Sequence, residues 1–248
     1  GMVTYFQGAR PGYMKLYCTP VDSFWCCTGT GMENHAKYGD SIYFHDDQSL
    51  MVNLFIPSTL TWKDKGAVLT QTTTYPDEAA TTLSWKLATP QRLTLKLRHP
   101  GWSPTAVVRV NGAVVARSEK PGGFVTLDRT WKDGDVVSLT LAMNVEAAPL
   151  PNAPDIFALT YGPLVLAGAL GDEGIAPGSD IVVNERRYGE YLNTPFEAPK
   201  LAGDPQAIAG AVRPGGGPLA FTVADAQGRT VRLKPYHQIA HERYVTYW

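Results

Sequence analysis

The densest run of reactive side chains lies between Asp22 and His35, and at its centre two cysteines are adjacent, Cys26 and Cys27. They sit just before a predicted helix start. A helix N-terminus carries unpaired N–H groups and the positive end of the dipole, which favour thiolate over thiol. A thiolate is a good nucleophile and a good zinc ligand. Two sulfurs are half of a zinc site, since zinc takes about four ligands. Cys18 or His35 could complete the set, or the remaining donors could lie on another segment. The competing reading is a pair of small buried hydrophobes, the usual behaviour of unbridged cysteine. His35 follows Cys26 by nine residues, so a Cys–His dyad can be drawn, against the simpler reading of a surface histidine. Glu33 reads as a capping carboxylate. Paired with Asp40 or Asp22 it could do acid/base work, but a sequence gives no separation for the two groups.

Other candidates read more simply. His237, His241 and Glu242 have helical spacing for a metal, but Pro235 and the β pattern of Tyr244 to Trp248 make them loop and strand residues that pack the terminus. Gly215-Gly216-Gly217 lacks the strand–loop–helix context and the lysine of a phosphate loop, so it is a flexible turn. Trp62, Trp85, Trp102 and Trp131 could form a sugar platform, but their strand positions place them in cores.

The elements that must position these groups are mostly strands. The chain has 248 residues, 44% of them hydrophobic, enough for a real core. Lys+Arg is 22 and Asp+Glu is 23, a balance with no broad basic footprint, so neither nucleic acid nor an anionic membrane is an expected partner. No run reaches the roughly 18 to 20 apolar residues of a membrane span. Gly1 before Met2 reads as a tag scar. With Met2 as the start no export signal is encoded; a leader upstream would instead send the protein to the periplasm or outside the cell. Three cysteines are not a disulfide framework. The 24 Gly, 19 Pro and 10% aromatics point to short strands joined by turns.

Along the chain, a loop or hairpin is expected around Arg10-Pro11-Gly12. A capping box of Thr30 and Glu33 predicts a helix over about residues 31 to 38, stopped by Gly39. Strands follow at Ile42 to Phe44, Leu50 to Ile56, Val68 to Tyr75, Thr81 to Leu87 and Arg92 to Arg98. Asn111-Gly112 predicts a tight hairpin between Val107–Val110 and Ala113–Ala116. Phe124 to Leu127 and Val136 to Met143 complete a first β-sandwich. Three prolines between Pro149 and Pro154 predict a boundary. Beyond it come a buried strand pair over Ile156 to Leu170, long loops over 171 to 218, a hairpin from Leu219 to Leu233, and a last strand over Tyr244 to Trp248.

The stretch Asp22 to Asp40, DSFWCCTGTGMENHAKYGD, resembles a signature of the β-L-arabinofuranosidases of glycoside hydrolase family 127 and its relative family 146. The ending His241-Glu242-Arg243-Tyr244-Val245-Thr246-Tyr247-Trp248 and the Tyr161-Gly162-Pro163-Leu164-Val165 stretch are similar to the same family. The resemblance implies a mainly β chain of two jelly-roll-like β-sandwich domains, preceded by a short remnant of an (α/α)6 catalytic barrel. The remnant would span residues 1–44, the sandwiches 45–150 and 151–248. It further implies a retaining hydrolase acting on arabinose-containing glycans, with Cys26 as nucleophile and zinc ligand and Cys27 as a second zinc ligand. In the family the zinc is completed by an upstream Glu-x-Cys. This chain has none, and it lacks the upstream acid/base residue and the sugar-binding histidines, which implies a C-terminal fragment inactive by itself. Cys18 lies outside the family's ligand pattern. The alternative is a non-catalytic carbohydrate-binding or scaffolding module.

Overall fold

The computed structural model describes residues 2–22, 26–182 and 196–248. Ser23, Phe24 and Trp25 of the cysteine segment, and residues 183–195 of the expected long loops, lie outside the described residues. Mainly strand, the chain divides into two compact units: residues 37–144, and residues 1–36 together with 145–248. No described helix is long and apolar enough to cross a membrane.

The 37–144 unit is a sandwich of two sheets. One has the order β10-β9-β12-β7-β6-β5 and the other β11-β8-β4-β3. The strands are β3 (Tyr43–His45), β4 (Ser49–Val52), β5 (Ser58–Trp62), β6 (Ala67–Thr72), β7 (Ala80–Leu87), β8 (Gln91–His99), β9 (Ala106–Val110), β10 (Ala113–Ser118), β11 (Gly123–Trp131) and β12 (Val136–Leu141). Alternation explains which face is buried. Leu93, Leu95 and Leu97 of β8 point into the core, while Thr94 and Lys96 between them are half-buried and the flanking Arg92 and Arg98 stay exposed. Leu83 and Trp85 from β7, Val108 from β9 and Leu139 from β12 close the same core from the opposite sheet.

The Asn-Gly hairpin forms as expected. Val110 pairs with Ala113, leaving a two-residue loop in which Asn111 has φ 50° and Gly112 φ 84°. Positive φ at both positions gives the turn whose twist suits the flanking strands. The Asn111 amide donates to Asp135 Oδ1 at 2.8 Å, and its carbonyl oxygen accepts from the Val136 N–H at 2.9 Å, which ties this turn to the next one. Gly112→Val places a branched side chain where φ is left-handed. It is expected to cost about 1–2 kcal/mol in denaturant unfolding, and an unchanged midpoint would refute the strain argument.

The other unit is built on one branched sheet. Its strands are β1 (Thr4–Gln7), β2 (Tyr13–Cys18), β13 (Val145–Leu150), β14 (Ala153–Tyr161), β15 (Leu164–Ala169), β16 (Ile181–Val182), β17 (Arg213–Pro214), β18 (Phe221–Ala224), β19 (Thr230–Pro235) and β20 (Arg243–Val245). β15 is the trunk. One edge pairs with β19; the other is shared by β14 at the start of the strand and β20 at its end. The sheet therefore splits into a β13–β14 arm and a β20–β2–β1 arm. Among the described residues this unit has the helices α1 (Cys26–Lys37, whose last residue falls in the other unit) and α2 (Pro205–Ala211). Ile208 and Ala209 of α2 are buried against Phe157, Leu159, Leu166 and Leu233.

Several expectations needed revision. The helix begins at Cys26, five residues before the expected start, and the 3-10 turn Tyr38–Ser41 carries the chain past Gly39. No capping box forms: Thr30 lies inside the helix and its hydroxyl donates back to the Cys26 carbonyl at 3.3 Å. Strand β5 and helix α2 were not anticipated. The prolines from 149 to 154 mark a hairpin, with Pro149 inside β13, an edge strand that needs no ladder N–H there.

Candidate active site

Cys26 and Cys27 are the first two residues of α1, and Cys26 is exposed. The first four N–H groups of a helix have no partner within it, so the Cys26 sulfur stands at an electropositive end. Thr28, one residue beyond the pair, is buried, and among the described residues its hydroxyl has no hydrogen-bond partner.

The structure separates groups that spacing alone allowed to meet. Cys26 and His35 share one helix nine residues apart. At 1.5 Å and 100° per residue they are roughly 13 Å apart along the axis and on opposite faces. They do not form a dyad, and His35 is an exposed surface residue. Cys18 is buried in β2, where its sulfur accepts from the Val3 N–H at 3.2 Å. Among the described residues no three of His, Cys, Asp and Glu gather as a metal would need. Zinc takes about four donors, more than the described residues bring together. Glu33 and Asp22 are exposed, as is Asp40, whose 3.5 Å contact with Lys37 is a solvated surface pair of little energetic weight.

The far end of the chain packs as expected. His241 pairs through Nδ1 with the buried carboxylate of Asp180 and lies 5.3 Å from the Tyr17 ring, while Glu242 pairs with Lys234. The glycines at 215 to 217 belong to the loop joining β17 to β18, closed by Gly215 N–H donating to the Ala220 carbonyl at 2.7 Å.

Trp62, Trp85 and Trp131 are buried in the sandwich core, so they offer no platform to a sugar. Trp102 differs. It lies in a turn after β8, not in a strand, and is only partly buried against that core. Its ring is nearly parallel to that of Tyr75, 21° between planes and 6.4 Å between centroids. Phe55 braces Tyr75 edge-on at 5.4 Å. With Asn53 and Arg98 these rings line a pocket of about 160 Å³. Sequence reading missed it because its residues come from three separated segments. The available signal was a tryptophan beside Pro100-Gly101, where a turn rather than a buried strand face is expected.

Comparison with known proteins gives a family-level picture. The model described as the β-L-arabinofuranosidase catalytic domain of glycoside hydrolase family 127 matches residues 1–40. The model for the middle domain of the same family matches residues 49–143, and a domain of unknown function matches 146–248. The last two fall within the two compact units. A solved structure named glycoside hydrolase superposes with a TM-score of 0.66 at 21% identity, covering 92% of this chain and 40% of its own. A family 127 β-L-arabinofuranosidase from Geobacillus stearothermophilus gives 0.60 at 22% identity, covering 92% of this chain and 38% of its own. A family 127 β-arabinofuranosidase gives 0.63 at 21% identity, covering 98% and 42%. These likenesses show a shared fold, and the chain spans about two fifths of the length of those structures. No curated protein matches the chain.

Proposed function

We propose, for a chain that is glycoside hydrolase family 127-like over residues 1–40 and 49–143, that it forms the C-terminal part of a retaining glycosidase acting on arabinose-containing glycans. The observation that carries the reading is the exposed Cys26 at the start of α1, inside the stretch matched by the family's catalytic-domain model. Cys26 is the nucleophile, and its sulfur and that of Cys27 are the donors this chain presents to a zinc ion. Zinc, when bound, keeps a coordinating thiol deprotonated at neutral pH. Cys26 then attacks the anomeric carbon and displaces the leaving oxygen, in the place a second carboxylate occupies in most retaining enzymes. The exposure of Cys26 leaves one side of the sulfur open to a sugar. The proton for the leaving oxygen and the remaining metal donors come from an (α/α)6 barrel outside these residues.

The chain alone is then expected to bind zinc below one equivalent and to show no turnover of an aryl arabinofuranoside. Metal analysis of the purified chain and a chromogenic assay check both. Stoichiometric zinc with turnover by this chain would overturn the division of the site between polypeptide segments. Turnover by a complete enzyme carrying Cys26→Ala would overturn the nucleophile assignment. A non-catalytic carbohydrate-binding or scaffolding role is the second reading, and the half-buried Tyr75–Trp102 wall favours it.

A further inference from the structure

We propose that the pocket of Asn53, Tyr75, Arg98 and Trp102 in the 37–144 unit is a carbohydrate-binding site, taking one ring of a neutral glycan. The pocket combines two features that sugar recognition needs. The first is an apolar wall. Tyr75 and Trp102 are near parallel, and Phe55, which is buried and also lines the pocket, braces Tyr75 edge-on. The C–H face of a sugar ring lies flat on such a wall, which removes apolar area from water without covering the equatorial hydroxyls. The second is a set of uncommitted donors. Among the described residues no hydrogen bond reaches the Tyr75 hydroxyl, the Trp102 indole N–H or the Arg98 guanidinium, and Arg98 makes no ion pair. Burial raises the Tyr75 phenol above its ordinary value, with Arg98 pulling the other way, so the hydroxyl remains a donor at neutral pH. A pocket with an aromatic lining and a few polar groups has the usual composition of a small-molecule site.

Size and shape select the occupant. About 160 Å³ is room for roughly five water molecules, which suits a single ring, not a length of extended peptide. The donors are matched by sugar hydroxyl oxygens, which accept hydrogen bonds all around a ring. Choosing arabinose-containing oligosaccharides as the first ligand rests on the family reading; the pocket itself does not depend on Cys26.

Titration of the 248-residue chain with arabino-oligosaccharides, followed by tryptophan fluorescence and calorimetry, tests the site, with a glucose oligomer and a proline-rich peptide run in parallel. Saturable binding of either sugar in the millimolar range is expected. It should weaken about tenfold or more in Arg98→Ala, a change at an exposed residue that leaves the core intact, and in Trp102→Leu. No saturable sugar binding, binding of the peptide alone, or sugar binding unchanged in both pocket variants would each overturn the proposal. Zinc content and turnover are read separately, so failure here leaves the Cys26 assignment standing, and loss of that assignment leaves the pocket standing.

Discussion

Trp131→Ala is expected to unfold the 37–144 unit or bring it close to unfolding. Trp131 is fully buried in that core. Its indole N–H donates to the Leu93 carbonyl at 3.0 Å, which ties the end of β11 to its neighbour β8. Its ring lies 5.9 Å from that of Trp85, which belongs to the opposite sheet, so one side chain joins both layers of the sandwich. The Arg129 guanidinium sits 5.1 Å from the ring centroid. Removing a buried aromatic costs about 3–5 kcal/mol, because the cavity does not fully collapse. A domain of this size has about 5–15 kcal/mol in total, and each kcal/mol moves the melting point by about 4–8 °C. The expected fall is therefore about 12–40 °C. Trp131→Phe keeps most of the volume, loses only the hydrogen bond to Leu93, and should cost much less. Thermal melts followed by near-ultraviolet circular dichroism compare the two. A melting point for Trp131→Ala within a few degrees of the parent would show that this ring does not hold the layers together.

That core was legible because its logic is local. Leu93, Leu95 and Leu97 alternate with polar residues, and Asn111-Gly112 specifies its own turn. What escaped was either weakly patterned or assembled from distant parts. Strand β5 buries only Trp62 of its five residues, so its apolar period is faint. Helix α2 does carry a start signal, Asp204 accepting from the Ala207 N–H and Pro205 in the first turn, but it is seven residues long in a stretch rich in glycine and alanine. The Thr30–Glu33 spacing fits a helix interior as well as a helix start, and only the backbone distinguishes them. The reactive pair was legible by type, since adjacent cysteines stand out in any composition. That His35 lies on the opposite face followed only once the helix was seen to begin at Cys26. The pairing of β2 with β20 joins residues at opposite ends of the chain, which no local pattern encodes. The pocket of Tyr75 and Trp102 is long-range in the same way, since three separated segments meet there.

Alkaline solution is expected to destabilise the unit made of residues 1–36 and 145–248, and Tyr244 is the main cause. It is buried, donates to the Gly8 carbonyl at 2.5 Å, and meets Tyr236 edge-on at 5.1 Å. Burial raises its phenol far above the ordinary tyrosine value, and the hydrogen bond with Tyr236 and the nearby Tyr17 add to the rise. The same burial raises Tyr17 and Tyr236. An unfolded tyrosine ionises near pH 10, whereas buried Tyr244 keeps its proton. Above that pH the native state holds more protons than the unfolded state, so stability falls, by up to about 1.4 kcal/mol per pH unit for this one group. Below about pH 10 its contribution is fully present. Lys15 works in the other sense over a lower window. Its ammonium donates to the Tyr236 carbonyl at 2.7 Å, and burial, followed by Lys234, lowers its affinity for a proton, while Glu242 partly restores it. An unfolded lysine still binds a proton up to about pH 10.4, so Lys15 makes stability rise with pH until then. Denaturant midpoints measured between pH 8 and 12 should therefore pass a maximum near pH 10 and then drop. Tyr244→Phe leaves the Gly8 carbonyl unpartnered and lowers the midpoint at neutral pH by about 1 kcal/mol, yet it should flatten the alkaline drop. A drop of equal slope in Tyr244→Phe would place its cause in the half-buried Tyr17 and Tyr236 of the same unit.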